Sequence, residues 1–273
     1  PHIMFSKNDG MLNLLTSLMK TNKIRRSNKI YHKGRLVKYP FENDLASLSD
    51  EDKKYCLKEF LNNPHKNCRA KNMLQFFLKT FGKGITELYL QPYNQKVWKF
   101  DPALMDTQMV ERIPKPPRED IIKSAEGIKT EGYVHQLYFH YPVEGGIEQI
   151  ITAFLKLIAK KSRVFCPTRI KRIYKKEGIW HVATDKGNFT SKLLINCLPL
   201  HELFKYVKAP KNIVKALNEL KYNSICIILV QAKKDNIGDN FALYFADKDI
   251  VFHRISKLNF LGDNYGLKSS KSN

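Results

Sequence analysis

Between residues 145 and 198 the hydrophobic period changes from that of a helix to that of a strand, and this limits the fold more than any other feature. The stretch GGIEQIITAFLKLIAKK enters through Gly145 and Gly146 and sets Ile147, Ile150, Ile151, Phe154 and Ile158 on one helical face. The following RIKRIYKKEGIWHVATDKGNFTSKLLINCL alternates, with turn residues at 175–178 and 185–187. It predicts a strand meander that closes in a buried strand. A helix running into a meander predicts a mixed α/β chain.

The same two periods organise the rest. Residues 1–5 read as a short extended piece, and GMLNLLTSLMK as a helix carrying Leu12, Leu15 and Met19 on one side. KIYHKGRLVKYPF predicts a hairpin turning at Lys33 and Gly34. Ser49 is the expected N-cap of a helix over SDEDKKYCLKEFLNN, with Asp52 in its first turn. A second helical stretch spans AKNMLQFFLKTFGKGITELYLQPYNQKVW, and the prolines of RIPKPPRED leave no room for a helix interior. One more helix, APKNIVKALNEL, precedes SICIILV at residues 224–230, a run with the length of a buried strand. FALYFAD and IVFHRIS are two further strand candidates.

With 273 residues, 43% of them hydrophobic and 11% aromatic, the chain has the composition of a folded protein with a sizeable core. No apolar run approaches the roughly 20 residues of a membrane-spanning helix. Cys56, Cys68, Cys166, Cys197 and Cys226 form no CxxC pair, and the histidines do not sit beside them at ligand spacing. Unpaired thiols and the absence of a structural metal are therefore expected, in a reducing, cytoplasmic setting. The net charge of +21 admits a nucleic-acid-binding protein, but the lysines are spread as pairs, the pattern of a solvated surface. No GxGxxG, GxxxxGK[ST], GxSxG or HExxH occurs, and Asp50, Glu51 and Asp52 read as a helix start rather than as catalytic carboxylates. Local motifs by themselves name no reaction.

The order of longer blocks carries more. PHIMFS, LVKYPFENDL, YLQPYNQKVWKFDPALMDTQMVERIPKPP, EGGIEQIITAFLKLI, PTRIKRIYKKEGIWHVATDKGNFTSKLLINCLPLHEL and VFHRISKLNF follow one another along nearly the whole chain. In this order they resemble blocks of the UDP-galactopyranose mutases, flavoenzymes of the amine oxidase and protoporphyrinogen oxidase superfamily. The resemblance implies a mixed α/β, FAD-binding amine-oxidase-like fold that is incomplete. It divides into a remnant of the FAD-binding domain with its hairpin at 1–44, a helical insertion at 45–130, the FAD-domain helix and meander at 131–210, and truncated substrate-domain strands at 211–273. The family's glycine-rich strand–turn–helix, which holds the FAD pyrophosphate, and its C-terminal segment have no counterpart here, so an internal fragment is expected.

The resemblance also assigns residues, with FAD as cofactor and a small molecule of the nucleotide-sugar class as substrate. His2 and Ile3 match the segment beside the isoalloxazine ring, although a frayed terminus is the plainer reading. Ile170 matches the position whose backbone meets the adenine, and Leu198 and Pro199 match the strand end near the phosphates. A core isoleucine and a strand-ending proline are the alternatives. Arg254 matches the arginine that meets the substrate diphosphate, and Trp98 the tryptophan near the uridine. A surface arginine and a helix-end core tryptophan explain these two nearly as well.

Two positions depart from the pattern. Arg112 has a counterpart in the family, but the second arginine four residues later is Pro116, and Lys257 stands near where a glutamate is usual. A diphosphate missing one guanidinium forgoes about 1.5–3 kcal/mol. The expected function is therefore an FAD-dependent oxidoreductase of the superfamily, incomplete as this piece, with no catalytic residue assigned. A UDP-galactopyranose mutase, a flavin-dependent isomerase, is the alternative, and a basic polyanion-binding protein the alternative of another class.

Overall fold

The hairpin forms because Lys33 and Gly34 both take left-handed backbone, at φ 46° and 80°, the twist that a two-residue turn needs to join right-handed strands. In this computed structural model, which describes residues 2–108, 110, 113, 115–131 and 137–266, the hairpin joins β2 (Asn28–His32) to β3 (Arg35–Lys38). Asn28, Ile30 and His32 face inward along β2, the period-2 burial of a sheet with one packed face. β2 lies inside a mixed four-stranded sheet of order β3–β2–β8–β9. There β8 (Ala242–Phe245) runs parallel to β2, and β9 (Arg254–Ser256) antiparallel to β8. FALYFAD and IVFHRIS thus form strands as expected. A second antiparallel pair joins β1 (Thr21–Arg25) to β4 (Tyr138–Pro142), and Met4 bridges His140 at its side.

Helices cover this sheet. α1 (Asp9–Ser17) begins at Asn8, whose Oδ1 accepts from the Met11 N–H. α2 (Asp50–Leu61) begins at Ser49, whose Oγ accepts from the Asp52 N–H at 3.2 Å. The long helical stretch expected from residue 70 to 98 is divided in two. α3 (Met73–Ile85) breaks at Gly82, with φ 74° and ψ 172°, and passes through a widened turn, Thr86–Leu90, into α4 (Gln91–Trp98). The break has a packing cause: a Cβ on Gly82 would lie 2.6 Å from the Glu59 carbonyl oxygen, and one on Gly84 2.6 Å from the Cys56 Cα. Helical periodicity cannot report that two backbones must touch. α5 (Arg118–Ala125) starts just past the prolines. Phe41, Leu45, Phe77, Phe81 and Ile85 are fully buried between these helices and the sheet, each contributing roughly 1.5–3 kcal/mol. A smaller cluster of Phe139, Tyr141, Phe241, Ala242 and Leu261 closes the β1–β4 end.

The chain divides into two compact units, residues 1–157 with 229–273, and residues 158–228. α6 (Glu148–Ile158) has the expected amphipathic sequence but no buried residue. The second unit is the expected meander of β5 (Ile170–Lys176), β6 (Ile179–Thr184) and β7 (Gly187–Ser191), with α7 (Leu200–Leu203) and α8 (Lys211–Glu219) after it. Two expectations fail. The buried strand closing the meander and the buried strand over 224–230 do not form, and Ile195 and Ile227 are 84% and 87% exposed. Apolar strands need ladder neighbours, and among the described residues neither run has one. No helix among the described residues is long and apolar enough to cross a membrane.

Candidate functional site

Asn28, at the start of β2, and Ser27 just before it border a hollow that β2, β8 and β9 share. One lobe, of about 280 Å³, is lined by Arg25, Arg26, Asn28, Lys38, Tyr39 and Glu131 among others. A second, of about 200 Å³, is lined by Ile3, Arg26, Asn28, Phe241, Tyr244, Arg254 and Ser256. Arg26 and Asn28 belong to both lobes. The parallel register places Ile30 opposite Tyr244, and the antiparallel one places Tyr244 opposite Arg254, so three distant segments meet here.

The cations of the hollow are held differently. Arg25 and Lys38 are both drawn to Glu131, at 3.0 and 3.4 Å, and Lys38 also donates to the Thr130 carbonyl. The Arg26 guanidinium stacks on the Phe5 ring, 5.0 Å from its centroid. Arg254 is exposed at the mouth of the second lobe. Arg26, in the link between β1 and β2, and Arg254, at the start of β9, can therefore approach one anionic ligand.

Behind the cations lies a packed row of phenols. Tyr39 and Tyr244 sit with ring centroids 5.1 Å apart, Tyr93 meets Tyr244 edge-on at 5.8 Å, and Tyr89 stacks on Tyr93 at 5.2 Å. Burial raises the Tyr39, Tyr89 and Tyr93 hydroxyls above their ordinary value, so all three remain protonated donors. Arg26 partly offsets this at Tyr39, and Arg254 does so at Tyr93, which puts each guanidinium's field on a phenol. Asn28 donates from Nδ2 to the Tyr244 hydroxyl at 3.2 Å. Its Oδ1 is buried without a hydrogen-bond partner among the described residues. His253, next to Arg254, is held below its ordinary value first by burial and then by Arg254, Lys96 and Lys99. Among the described residues no group of three or more metal-ligating side chains converges.

Of the residues singled out in the sequence, Ile3 and Arg254 line the same lobe, while His2 is exposed beside it in the chain. Trp98 ends α4, half-buried, and donates its indole N–H to Asn94 Oδ1 at 3.2 Å. Tyr93 and Lys96 of the same helix reach β8 and the loop after it. Ile170, Leu198 and Pro199 belong to the other unit. Ile170 opens β5 opposite Thr184, Leu198 exchanges hydrogen bonds with the Asn196 side chain, and Pro199 precedes α7. Pro116 is half-buried in the stretch before α5, Lys257 is tied to Asp235, and Arg112 lies outside the described residues. The residue pattern carries no sign of Arg26, Asn28, Tyr39, Tyr93 or Tyr244, because only the pairing of β2 with β8 and the packing of α4 and Tyr39 against β8 make them neighbours.

No family model matches this sequence. Among solved structures, the fold is similar to that of reduced UDP-galactopyranose mutase, with a TM-score of 0.81 and 22% identity over 97% of this chain and 60% of that chain. It is also similar to a protein from Exiguobacterium sp. 255-15 described as a protoporphyrinogen oxidase, with a TM-score of 0.62 and 14% identity over 97% of this chain and 62% of that one. The fold is therefore shared with these two structures, and the chain spans about 60% of their length.

Proposed function

We propose that this chain carries the substrate side of a flavin-dependent oxidoreductase of the amine-oxidase type, and that the hollow at Arg26, Asn28, Tyr244 and Arg254 takes an anionic substrate. The observation that carries the reading is the convergence of two guanidinium groups on one hollow backed by protonated phenols. Guanidinium forks suit carboxylate or phosphate, and phenols suit sugar or hydroxyl oxygens. Burial by the tyrosines lowers the local dielectric, so the charge pairing gains strength there.

The residues fit a flavin in part. Ile3 offers an apolar contact, and the buried Asn28 Oδ1 is an acceptor suited to an imide N–H. No glycine-rich strand-to-helix turn that would cradle its diphosphate occurs in this sequence. When bound, a flavin supplies the electron-transfer chemistry; this chain's own residues bind and orient the substrate. Arg254 anchors the anion, Tyr244 is held in place by Asn28, and the phenol row excludes water.

The higher TM-score to the mutase favours a second reading, in which the anion is a nucleotide-sugar diphosphate and the reaction an isomerisation. Calorimetric titration with uridine diphosphate and with inorganic pyrophosphate tests the anion hollow. Binding that Arg254→Ala leaves unchanged, or no binding of either, would sink it. Anaerobic incubation with chemically reduced FAD and UDP-galactopyranose separates the two readings: furanose product favours the isomerase.

A further inference from the structure

The lysines that are spread along the sequence are not shared evenly between the two units. Residues 158–228 hold 15 of the 47 Lys and Arg but only 4 of the 26 Asp and Glu, a net +11 of the chain's +21. Two of those acids are already engaged, Glu177 by Lys176 at 3.7 Å and Glu202 by Lys205 at 2.7 Å. The unit thus presents a positive field to any polyanion.

Its meander adds flat groups to the charge. Pairing sets Tyr174 of β5 opposite His181 of β6, and His181 opposite Thr190 of β7, so the three share one face. The phenol and imidazole rings are parallel to within 2°, with centroids 4.8 Å apart, and the Arg172 guanidinium lies 4.9 Å from the Tyr174 ring centroid. Arg172, Tyr174 and Thr190 are exposed and His181 is half-buried. The neighbouring row of Ile173, Val182 and Phe189 points to the opposite face. Apolar packing falls on that other side, where Ile173 is buried and Phe189 meets Phe165 at 5.0 Å. The row of Arg172, Tyr174 and His181 therefore stands on the polar face of the sheet. Lys176 ends β5 two residues beyond Tyr174, and Lys192 follows β7 two residues beyond Thr190.

We propose that this face of the β5–β7 meander binds single-stranded nucleic acid. Planar groups flanked by cations match a polymer that alternates flat bases with phosphates. Bases extend the row by stacking on guanidinium and ring planes, Lys176 and Lys192 take phosphates, and the Thr190 hydroxyl meets a base edge or sugar. A duplex keeps its bases stacked on one another and offers this face phosphates alone. An inorganic polyanion or an anionic lipid surface likewise has no flat partner for the rings. The inference does not rest on the flavin reading, since it concerns another unit and another ligand.

Fluorescence anisotropy of the full chain with a labelled oligothymidylate of about 12 nucleotides, within the span that one β-sheet module covers, tests it. Binding is expected at low salt, and about four neutralised phosphates weaken it roughly 50-fold between about 50 and 200 mM potassium chloride. Tyr174→Ala combined with His181→Ala weakens it about tenfold to a hundredfold, whereas Tyr174→Phe combined with His181→Phe retains it. Arg172→Gln, at an exposed position, weakens it about tenfold without a demand on the fold. Ultraviolet cross-linking of a bromouridine-substituted strand, read by mass spectrometry, is expected on the peptide that carries Tyr174 or His181. Absence of binding at low salt overturns the proposal. So does binding that Arg172→Gln and the alanine pair leave unchanged, or cross-links confined to residues 1–157 and 229–273. Competition by polyphosphate, by the matching duplex or by phosphatidylglycerol vesicles as strong as that of the unlabelled strand assigns the face to charge alone and equally overturns it.

Discussion

Asn28 donates from Nδ2 to the Tyr244 hydroxyl across 3.2 Å, joining side chains 216 positions apart in the sequence. The bond ties β2 to β8 at the floor of the hollow and fixes the ring against which Tyr39 and Tyr93 pack. Tyr244→Phe keeps the ring and removes the hydroxyl, leaving the Asn28 amide, whose Oδ1 already lacks a partner among the described residues, without this bond. A cost of about 1–3 kcal/mol is expected in urea unfolding, at an unchanged m-value. A midpoint equal to that of the parent protein would show that the bond contributes nothing.

The α2–α3 contact makes a sharper demand on backbone. Gly82→Ala combines left-handed φ with a Cβ 2.6 Å from the Glu59 oxygen and is expected to cost about 3 kcal/mol or more. Gly34→Ala shares the positive φ but meets nothing within 4 Å, so only the conformational cost of about 1–2 kcal/mol applies. Denaturant unfolding of the two variants side by side separates close approach from conformation. Equal losses would contradict the close approach.

Asp52 anchors the hairpin turn to α2. Its carboxylate accepts from Lys33 Nζ at 2.8 and 2.9 Å and from His32 Nε2 at 3.1 Å. Burial pushes the carboxyl upward, but the hydrogen bonds from Lys33 and His32 outweigh it and hold the group below its ordinary value of 3.8. A depressed carboxylate contributes stability that is fully present above the unfolded value and lost as pH falls through the folded one. Asp52→Asn is thus expected to cost about 2 kcal/mol at neutral pH, shrinking below pH 3.8. Urea midpoints of both proteins across pH 2–7, read against the shift direction, check this. A pH-independent difference would remove the charge from the explanation.

His253 reports on its neighbour. Burial is the larger cause of its lowered value and Arg254 the next, so Arg254→Ala moves the imidazole midpoint up while leaving it below 6.5. Proton NMR of the ring Cε1–H follows this directly. The same variant weakens pyrophosphate binding roughly tenfold to a hundredfold, and Arg254→Lys recovers part of it, since a point charge replaces a fork. An unmoved His253 midpoint would place Arg254 away from the ring.

Features held by neighbours in the chain are legible in the sequence alone. The Lys33–Gly34 turn, the Ser49 cap and the β5–β7 meander depend on local backbone preference and on period, which a few adjacent residues set. The order of blocks that resembles the mutases is legible in the same way, and the shared fold bears it out. Ile3 and Arg254 come from that order, yet nothing in it shows that they line one hollow. Tertiary structure alone decided what depends on approach across the chain: the break at Gly82, the phenol row, and the company of Arg26 and Asn28. It also decided against strands at 193–198 and 224–230, where the pattern is that of buried sheet. An apolar run specifies that it should be covered, but pairing is a property of two segments, and the second is supplied only by the fold around it.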